Sequence, residues 1–342
     1  MKKFEPDWSK RHYKTCLVDA DSILYKASAA ATPASYIVKD SSGTMVGTYQ
    51  RKKQAKDHID DDRTFLEIDT SDWTIEQVVE DKGLDHAIRV FENLVKGIKR
   101  EVSADNYRLF IGEGKLDRET VATLYKYKGS REGVEKPKYF YPLKDWVKTL
   151  PEVTVIRQIE SDDAVSVGAC NDYTKNYPNL QCVIACIDKD IKNSNGIFYD
   201  YDKGEWEYVT PKQADYNFAR QMLTGDWSTD GIKGLPNLTD EIRKQYELPK
   251  RNGVGKATAD LILKDLYGQS LQTLYERVLE CYKSFYGEEY TYTSWDGKQL
   301  TKTAEDILDE NADLLYIERR KGERWPDYKK RIGLKTLEDT NA

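Results

Sequence analysis

Val155-Ile156-Arg157-Gln158-Ile159-Glu160-Ser161-Asp162-Asp163-Ala164-Val165 sets an apolar, β-branched run against three carboxylates in four positions. Such a run reads as a strand, and the small and apolar residues that follow, Val165, Val167 and Ala169 among them, read as a helix. Carboxylates at a strand-to-helix corner project from the carboxyl end of a sheet, where open α/β folds place their ligands. Anions this close repel one another unless a cation sits between them, and hard oxygen donors call for magnesium or manganese. The same residues also suit a helix N-terminus, which favours Asp and Glu in its first turn. The rest of the chain decides between the two.

The corner recurs. Lys14-Thr15-Cys16-Leu17-Val18-Asp19-Ala20-Asp21 reads as a buried strand ending in acid, followed by a helix over 22–31. Asn106-Tyr107-Arg108-Leu109-Phe110-Ile111-Gly112-Glu113 is a third strand of this kind, and Cys182-Val183-Ile184-Ala185-Cys186-Ile187-Asp188-Lys189-Asp190 a fourth. Pro211 opens a helix to Thr224, as proline favours a first turn, and Gly225-Asp226-Trp227-Ser228-Thr229-Asp230-Gly231 is a turn with two further carboxylates. Asp19, Glu113, Glu160, Asp162, Asp163, Asp188, Asp190, Asp226 and Asp230 outnumber the formal net charge of −6, so the remainder of the chain is basic. Clustered carboxylates without His or Cys suit a two-metal site for phosphodiester hydrolysis. Only three histidines are present, and the five cysteines form no CxxC pair, so neither a His-based zinc site nor a Ser-His or Cys-His nucleophile is indicated.

The 342 residues, 39% hydrophobic and 33% charged, suffice for a large core. Apolar runs stop near five residues, too few for a membrane span. Met1-Lys2-Lys3 leads into no apolar leader, so a cytoplasmic protein is expected. Residues 115–148 carry nine Lys or Arg against five Asp or Glu, interleaved with Tyr125, Tyr127, Tyr139, Phe140, Tyr141 and Trp146. Cations for phosphate and rings for stacking are what a nucleic-acid channel needs; an amphipathic helix pair with a charged face would share that composition. Hairpins are expected at 36–49 and 197–208, a core-facing helix through Ile88 and Ile98, and helices near 270–286 and 300–320. Arg51 to Asp62 reads as a solvated surface of opposite charges. Asn252-Gly253-Val254-Gly255-Lys256 precedes a helical pattern, where backbone N–H groups can approach a phosphate. The expected division is an α/β core over 1–210 and a helical module over 211–342.

Taken in order, LVDADSILY, YKYKGSREGVEKP, IESDDAV, CIDKD, LTGDWSTDGI and GVGKATADLIL resemble the 5′-nucleases of the flap endonuclease superfamily, and within it the bacteriophage 5′→3′ exonucleases. The resemblance covers about 14–31 and 107–264, with a fainter echo at 304–328. It implies a mainly parallel sheet with flanking helices, a helical arch over 115–150, and a helix-three-turn-helix module that grips duplex DNA. It also implies Mg2+ or Mn2+, as two ions. Asp19, Glu113, Glu160, Asp162 and Asp188 would hold the nearer ion, and Asp163, Asp190, Asp226 and Asp230 the second ion or its waters. Lys128 and Arg131 resemble arch residues that engage the scissile phosphate, with Lys126, Lys136 and Lys138 beside them on the DNA. Gly253, Val254, Gly255 and Lys256 would meet duplex phosphate, a loop at which related proteins hold K+.

The implied activity is 5′→3′ exonuclease and 5′-flap endonuclease hydrolysis of DNA, extending to RNA primers in RNA–DNA hybrids. The implied protein is a monomer, in the host cytoplasm if phage-encoded. A PIN-class endoribonuclease and a non-catalytic DNA-structure-binding protein are the competing readings. The chain departs from the family pattern in four places. Ala20 follows the first aspartate, Glu113 stands for an aspartate, Asp226 and Asp230 are four apart, and a long insertion separates Gly234 from Gly253. Residues 32–85 match nothing in the family.

Overall fold

The computed structural model describes residues 7–334, apart from the side chain of Lys115. Met1-Lys2-Lys3, read against a leader, lies outside the described residues. No helix among them is long and apolar enough to cross a membrane. The chain divides into two compact units, one of residues 7–21, 97–134 and 152–334, the other of residues 22–96 and 135–151.

Along the chain, β1 (His12–Asp19) leads into α1 (Asp21–Ala30), then β2 (Ala34–Lys39), β3 (Met45–Tyr49), α2 (Lys52–Phe65), β4 (Thr74–Val79) and α3 (Leu84–Glu101). β5 (Ser103–Leu116), α4 (Phe140–Val147), β6 (Val153–Gln158), α5 (Ser161–Asn176), β7 (Cys182–Ala185), β8 (Gly196–Asp200) and β9 (Glu205–Val209) follow. The remainder is α6 (Pro211–Thr224), α7 (Trp227–Asp230), α8 (Asp240–Gln245), α9 (Lys256–Leu263), α10 (Leu271–Tyr286), β10 (Tyr290–Thr293), β11 (Gln299–Lys302), α11 (Ala304–Leu315) and α12 (Trp325–Arg331).

The first unit is built on a sheet in the order β6-β5-β1-β7-β8-β9, parallel throughout except for the terminal β8–β9 hairpin. β1 is central, and its Cys16, Leu17 and Val18 are buried, as strands covered on both faces require. Because β1, β6 and β7 run parallel, the acidic corners that follow them open at one edge of the sheet. α6 starts as the sequence indicates: Thr210 caps it, its hydroxyl accepting from Gln213 N–H (3.2 Å), with Pro211 in the first turn. Phe218, Met222 and Leu223 of α6 join Leu274, Tyr275, Tyr282, Leu308 and Trp325 of the carboxyl-terminal helices in one apolar core. The division expected at 210/211 is not where the units part. Val209, Ala214 and Ile317 pack with Leu17, Phe110 and Val165, so the core runs through that point.

The second unit holds α1, α4 and most of α3 together with a three-stranded antiparallel sheet, β3-β2-β4, backed by α2. Val38, Ala55 and Ile59 form its small core, with Tyr36, Tyr49, Trp73 and Ile75 against it. The hairpin read at 36–49 is present, its turn closed by Asp40 Oδ1, which accepts from the N–H groups of Ser42 and Thr44 at 2.9 Å each. The opposite-charge stretch is α2, with only Ala55 and Ile59 turned inward. Residues 115–150 are less helical than an arch implies. They hold two single 3-10 turns, at Asp117–Thr120 and Gly129–Arg131, before α4. Lys128 at φ 53° and Gly133 at φ 75° interrupt any helix there.

Candidate active site

Asp19 ends β1 and is buried; its Oδ1 accepts from Ser161 Oγ at 2.6 Å. The same hydroxyl lies 3.0 Å from Asp21 Oδ2, and Asp21 also accepts from Gly112 N–H at 3.0 Å. Ser161 opens α5 and so ties the corner after β6 to the corner after β1. Asp162 and Asp163, in the first turn of α5, are buried. Asp162 Oδ1 accepts from Asp163 N–H (2.8 Å), and Asp163 Oδ2 from Glu160 N–H (3.2 Å). Asp163 is therefore also the helix cap that the alternative reading of this corner expects.

Burial and crowding dominate the electrostatics. Burial, then the neighbouring Asp21, push the Asp19 carboxyl up to about 7. Asp162 is raised by burial and by Asp163 and Glu160. Burial, then a hydrogen bond with Asp226, push Asp190 up to about 8. Glu160 goes the other way: burial would raise it, but Lys128 and Arg118 prevail and bring it down to about 2. Arg118 is itself buried and spans Glu160 and Asp163 (2.9 Å to the latter), while its Nη2 also donates to the Tyr316 carbonyl. Lys128 Nζ bonds Glu160 and stands 3.9 Å from Asp230, and Tyr127 Oη reaches Glu160 at 3.0 Å and Asp230 at 3.3 Å. Arg131 holds Asp230 at 3.1 Å.

The turn after α6 brings in the remaining carboxylates. Asp226 is buried, with Lys189 Nζ 3.2 Å from its Oδ2, yet that oxygen has no aligned hydrogen-bond partner. The turn is pinned by paired bonds between Asp226 and Ile232 (2.8 and 3.2 Å) and by Leu235 N–H to the Leu223 carbonyl (3.0 Å). Asp188 is exposed at the mouth and accepts from Asp190 N–H at 2.8 Å.

All nine carboxylates singled out in the sequence lie in the first unit, and eight of them, with Asp21, are linked by the contacts above. Glu113 differs: its Oε2 is held by Arg157, its register partner on β6, at 3.0 Å. Lys126 pairs with Glu132 (2.8 Å). Lys136 and Lys138 belong to the second unit, where Lys138 binds Asp81 at 2.5 Å and Lys136 sits 4.9 Å from the Phe140 ring centroid. In the glycine loop Val254 is buried, Gly253 has φ 77°, and Gly255 and Lys256 are exposed at the start of α9. Asp21, Arg118, Ser161 and Lys189 are site residues to which the sequence reading gave no role, and Tyr127, read there as one of the rings of a basic segment, instead hydrogen-bonds Glu160. Asp21 had a visible signal too, two residues beyond a strand-end aspartate.

The donor set is all oxygen, mutually repelling and short of cations, which fits hard divalent ions. Among the described residues, no three Asp, Glu, His or Cys side chains close around a common point. Arg118, Lys128 and Lys189 fill the role of counter-ions instead. Asp226 Oδ2, beside Lys189 but without an aligned hydrogen bond, and the raised carboxyls of Asp19, Asp162 and Asp190 mark where positive charge is wanted.

No family model and no curated protein match the chain. Solved structures do. A bacteriophage T5 protein co-crystallised with metal ions is 14% identical over 89% of this chain and 99% of its own, with a TM-score of 0.39. The bacteriophage T5 flap endonuclease, in a pseudo-enzyme–product complex with DNA and metal ions, is 14% identical over 68% of this chain and 90% of its own, with a TM-score of 0.35. The T5 5′-exonuclease with bound zinc gives 14% identity, the same 68% and 90%, and a TM-score of 0.34. At such scores the likeness carries no argument about chemistry, and the architecture stands on its own strand order.

Proposed function

We propose that the chain is a divalent-metal-dependent 5′-nuclease that hydrolyses DNA phosphodiester bonds as a 5′→3′ exonuclease and 5′-flap endonuclease, extending to RNA primers in hybrids. The observation that carries this reading is the gathering of Asp19, Glu160, Asp162, Asp163, Asp188, Asp190, Asp226 and Asp230 at one sheet edge without enough cations to neutralise them. Those carboxylates are the residues that would hold Mg2+ or Mn2+. When bound, two such ions supply Lewis acidity toward the phosphate and an ionised water at neutral pH. The chain's own part is positioning. Lys128 and Arg131, now turned onto Glu160 and Asp230, are placed to exchange those carboxylates for a phosphate that approaches the cluster. Tyr127 fixes Glu160, and the buried Arg118 keeps the first turn of α5 from opening under its own charge. The loop of Gly253, Val254, Gly255 and Lys256 is the proposed duplex-phosphate contact, with K+ as its candidate cation, and α8 and α9 are its helical frame.

The test is cleavage of a 5′-labelled flap duplex, a nicked duplex and an RNA strand, each in magnesium and in EDTA. Magnesium-dependent release of short 5′ products from the DNA substrates, lost in Asp162→Ala and Asp188→Ala with duplex affinity kept, is the expected result. Cleavage of both variants above about a tenth of the parental rate would sink the metal assignment, since a lost ligand should cost at least that order. Preference for the RNA strand would favour a PIN-class ribonuclease instead.

A further inference from the structure

The turn that delivers Asp226 and Asp230 also carries a tryptophan that the site does not use. Trp227 lies between the two aspartates and is 56% exposed. Its ring meets Tyr125 edge-on, centroids 5.2 Å apart at 82°. Lys233 Nζ stands 5.3 Å from the Tyr125 centroid and 3.2 Å from its hydroxyl. A second exposed indole, Trp295 at 46%, is anchored to the same chain segment, its Nε1 donating to the Ala122 carbonyl (2.8 Å) and its N–H to that of Thr123 (3.1 Å). Lys126 Nζ lies 5.3 Å from the Trp295 centroid.

Residues 122–128 therefore contact this aromatic surface and the carboxylate cluster in succession. Ala122 and Thr123 hold Trp295, Tyr125 packs on Trp227, Lys126 covers Trp295, and Tyr127 and Lys128 turn onto Glu160. Backbone contacts fix the two together. Lys128 N–H donates to the Asp230 carbonyl at 2.7 Å, and Gly231 lies so close to the Lys126 carbonyl that a Cβ would come within 2.9 Å. Large rings left exposed beside lysines suit unpaired bases: every base has a face to stack, and the cations meet its phosphates.

We propose that Trp227, Tyr125 and Trp295, with Lys126 and Lys233, form a stacking platform for the unpaired bases of a single DNA strand whose backbone leads into the carboxylate cluster. This rests on the nuclease reading for its purpose but not for its test, because stacking needs no hydrolysis. The experiment measures affinity of the full chain for a fluorescein-labelled oligothymidine and for a blunt hairpin duplex, both in EDTA, with thermal melts of each variant. A stacked base is worth enough that Trp227→Ala should weaken single-strand binding about tenfold or more. Tyr125→Leu should do the same, while Trp227→Phe stays within about threefold, and blunt-duplex affinity and melting midpoint stay parental in all three. Parental single-strand affinity in both Trp227→Ala and Tyr125→Leu overturns the platform, as does an equal loss on the blunt duplex. So does a co-purifying protein that Trp227→Ala loses while oligothymidine binding holds, which would assign the rings to a protein partner. A chain that binds oligothymidine through these rings but releases no product in magnesium would overturn the nuclease reading alone.

Discussion

Arg118 and Lys128 both neutralise Glu160, but Arg118 is the more deeply buried of the two. Arg118 is 7% exposed. Removing one partner of a buried charged pair leaves the other charge without compensation, so Arg118→Ala should lower the free energy of unfolding by about 3–5 kcal/mol. Lys128 has a side chain 19% exposed and can release Glu160 to solvent. Lys128→Ala should destabilise the chain less than Arg118→Ala in urea, since Glu160 keeps Arg118 and a partly open side, yet slow flap cleavage far more than it weakens duplex binding. Urea titrations of both variants, beside turnover and affinity for Lys128→Ala, check the contrast; equal destabilisation would show that the two cations serve the same structural end. The sequence distinguishes them poorly. Lys128 stands out by its basic and aromatic neighbours, whereas Arg118, in Leu116-Asp117-Arg118-Glu119-Thr120, has the look of a surface turn. Only the fold reveals that the buried Asp163, the half-buried Glu160 and a carbonyl converge on it.

At the scale of elements, the strand ends were legible because a parallel sheet imposes a simple rule: acids that close each apolar run open at the same edge. β1, β6 and β7 follow it. Glu113 does not take part, because β5 continues to Leu116 and its register sets Glu113 against Arg157. In the second unit the hairpin, the helix over 22–31 and the helix through Ile88 were legible, but β4 and α2 were not. Of β4's six residues five are exposed, and α2 offers two inward residues in fourteen, so neither carries a periodic signal. The turn after α6 is governed by a close approach visible in sequence only as two glycines. Gly225 (φ 65°, ψ −167°) occupies a conformation restricted to glycine, and a Cβ there would come within 2.2 Å of the Ile232 carbonyl and 2.5 Å of Gly234 N. Gly225→Ala should therefore cost more than the about 1–3 kcal/mol of backbone strain alone. It should also displace Asp226 together with its neighbour Trp227, so that cleavage falls and single-strand binding weakens with it. A melting midpoint and turnover both at parental values would show that the turn tolerates a side chain and that its geometry does not hold Asp226 in place.

Across the whole molecule, the carboxylates at the sheet edge are a liability that the fold does not remove. Asp19 is pushed up to about 7 and Asp190 up to about 8, with Asp162 raised as well. An unfolded chain releases the same protons near pH 4. Between about pH 4 and 8 the folded state therefore binds more protons than the unfolded one, and stability should fall as pH rises through that window. The sign is opposite to that of a salt-bridged aspartate. Glu160, brought down to about 2, acts in the usual sense, but its contribution is lost only below pH 4, outside the window. Divalent ions compete with those protons for the same oxygens, so magnesium should stabilise the chain more at pH 8 than at pH 5.5. Saturation at a hundredfold excess over the dissociation constant corresponds to about 2.7 kcal/mol at a single site. Thermal melts in magnesium and in EDTA at the two pH values provide the measurement, with Asp190→Asn as the control in which part of the pH dependence should vanish. A magnesium shift as large at pH 5.5 as at pH 8 would mean that the ion binds away from these carboxylates, and the two-metal reading of the sheet edge would fall with it.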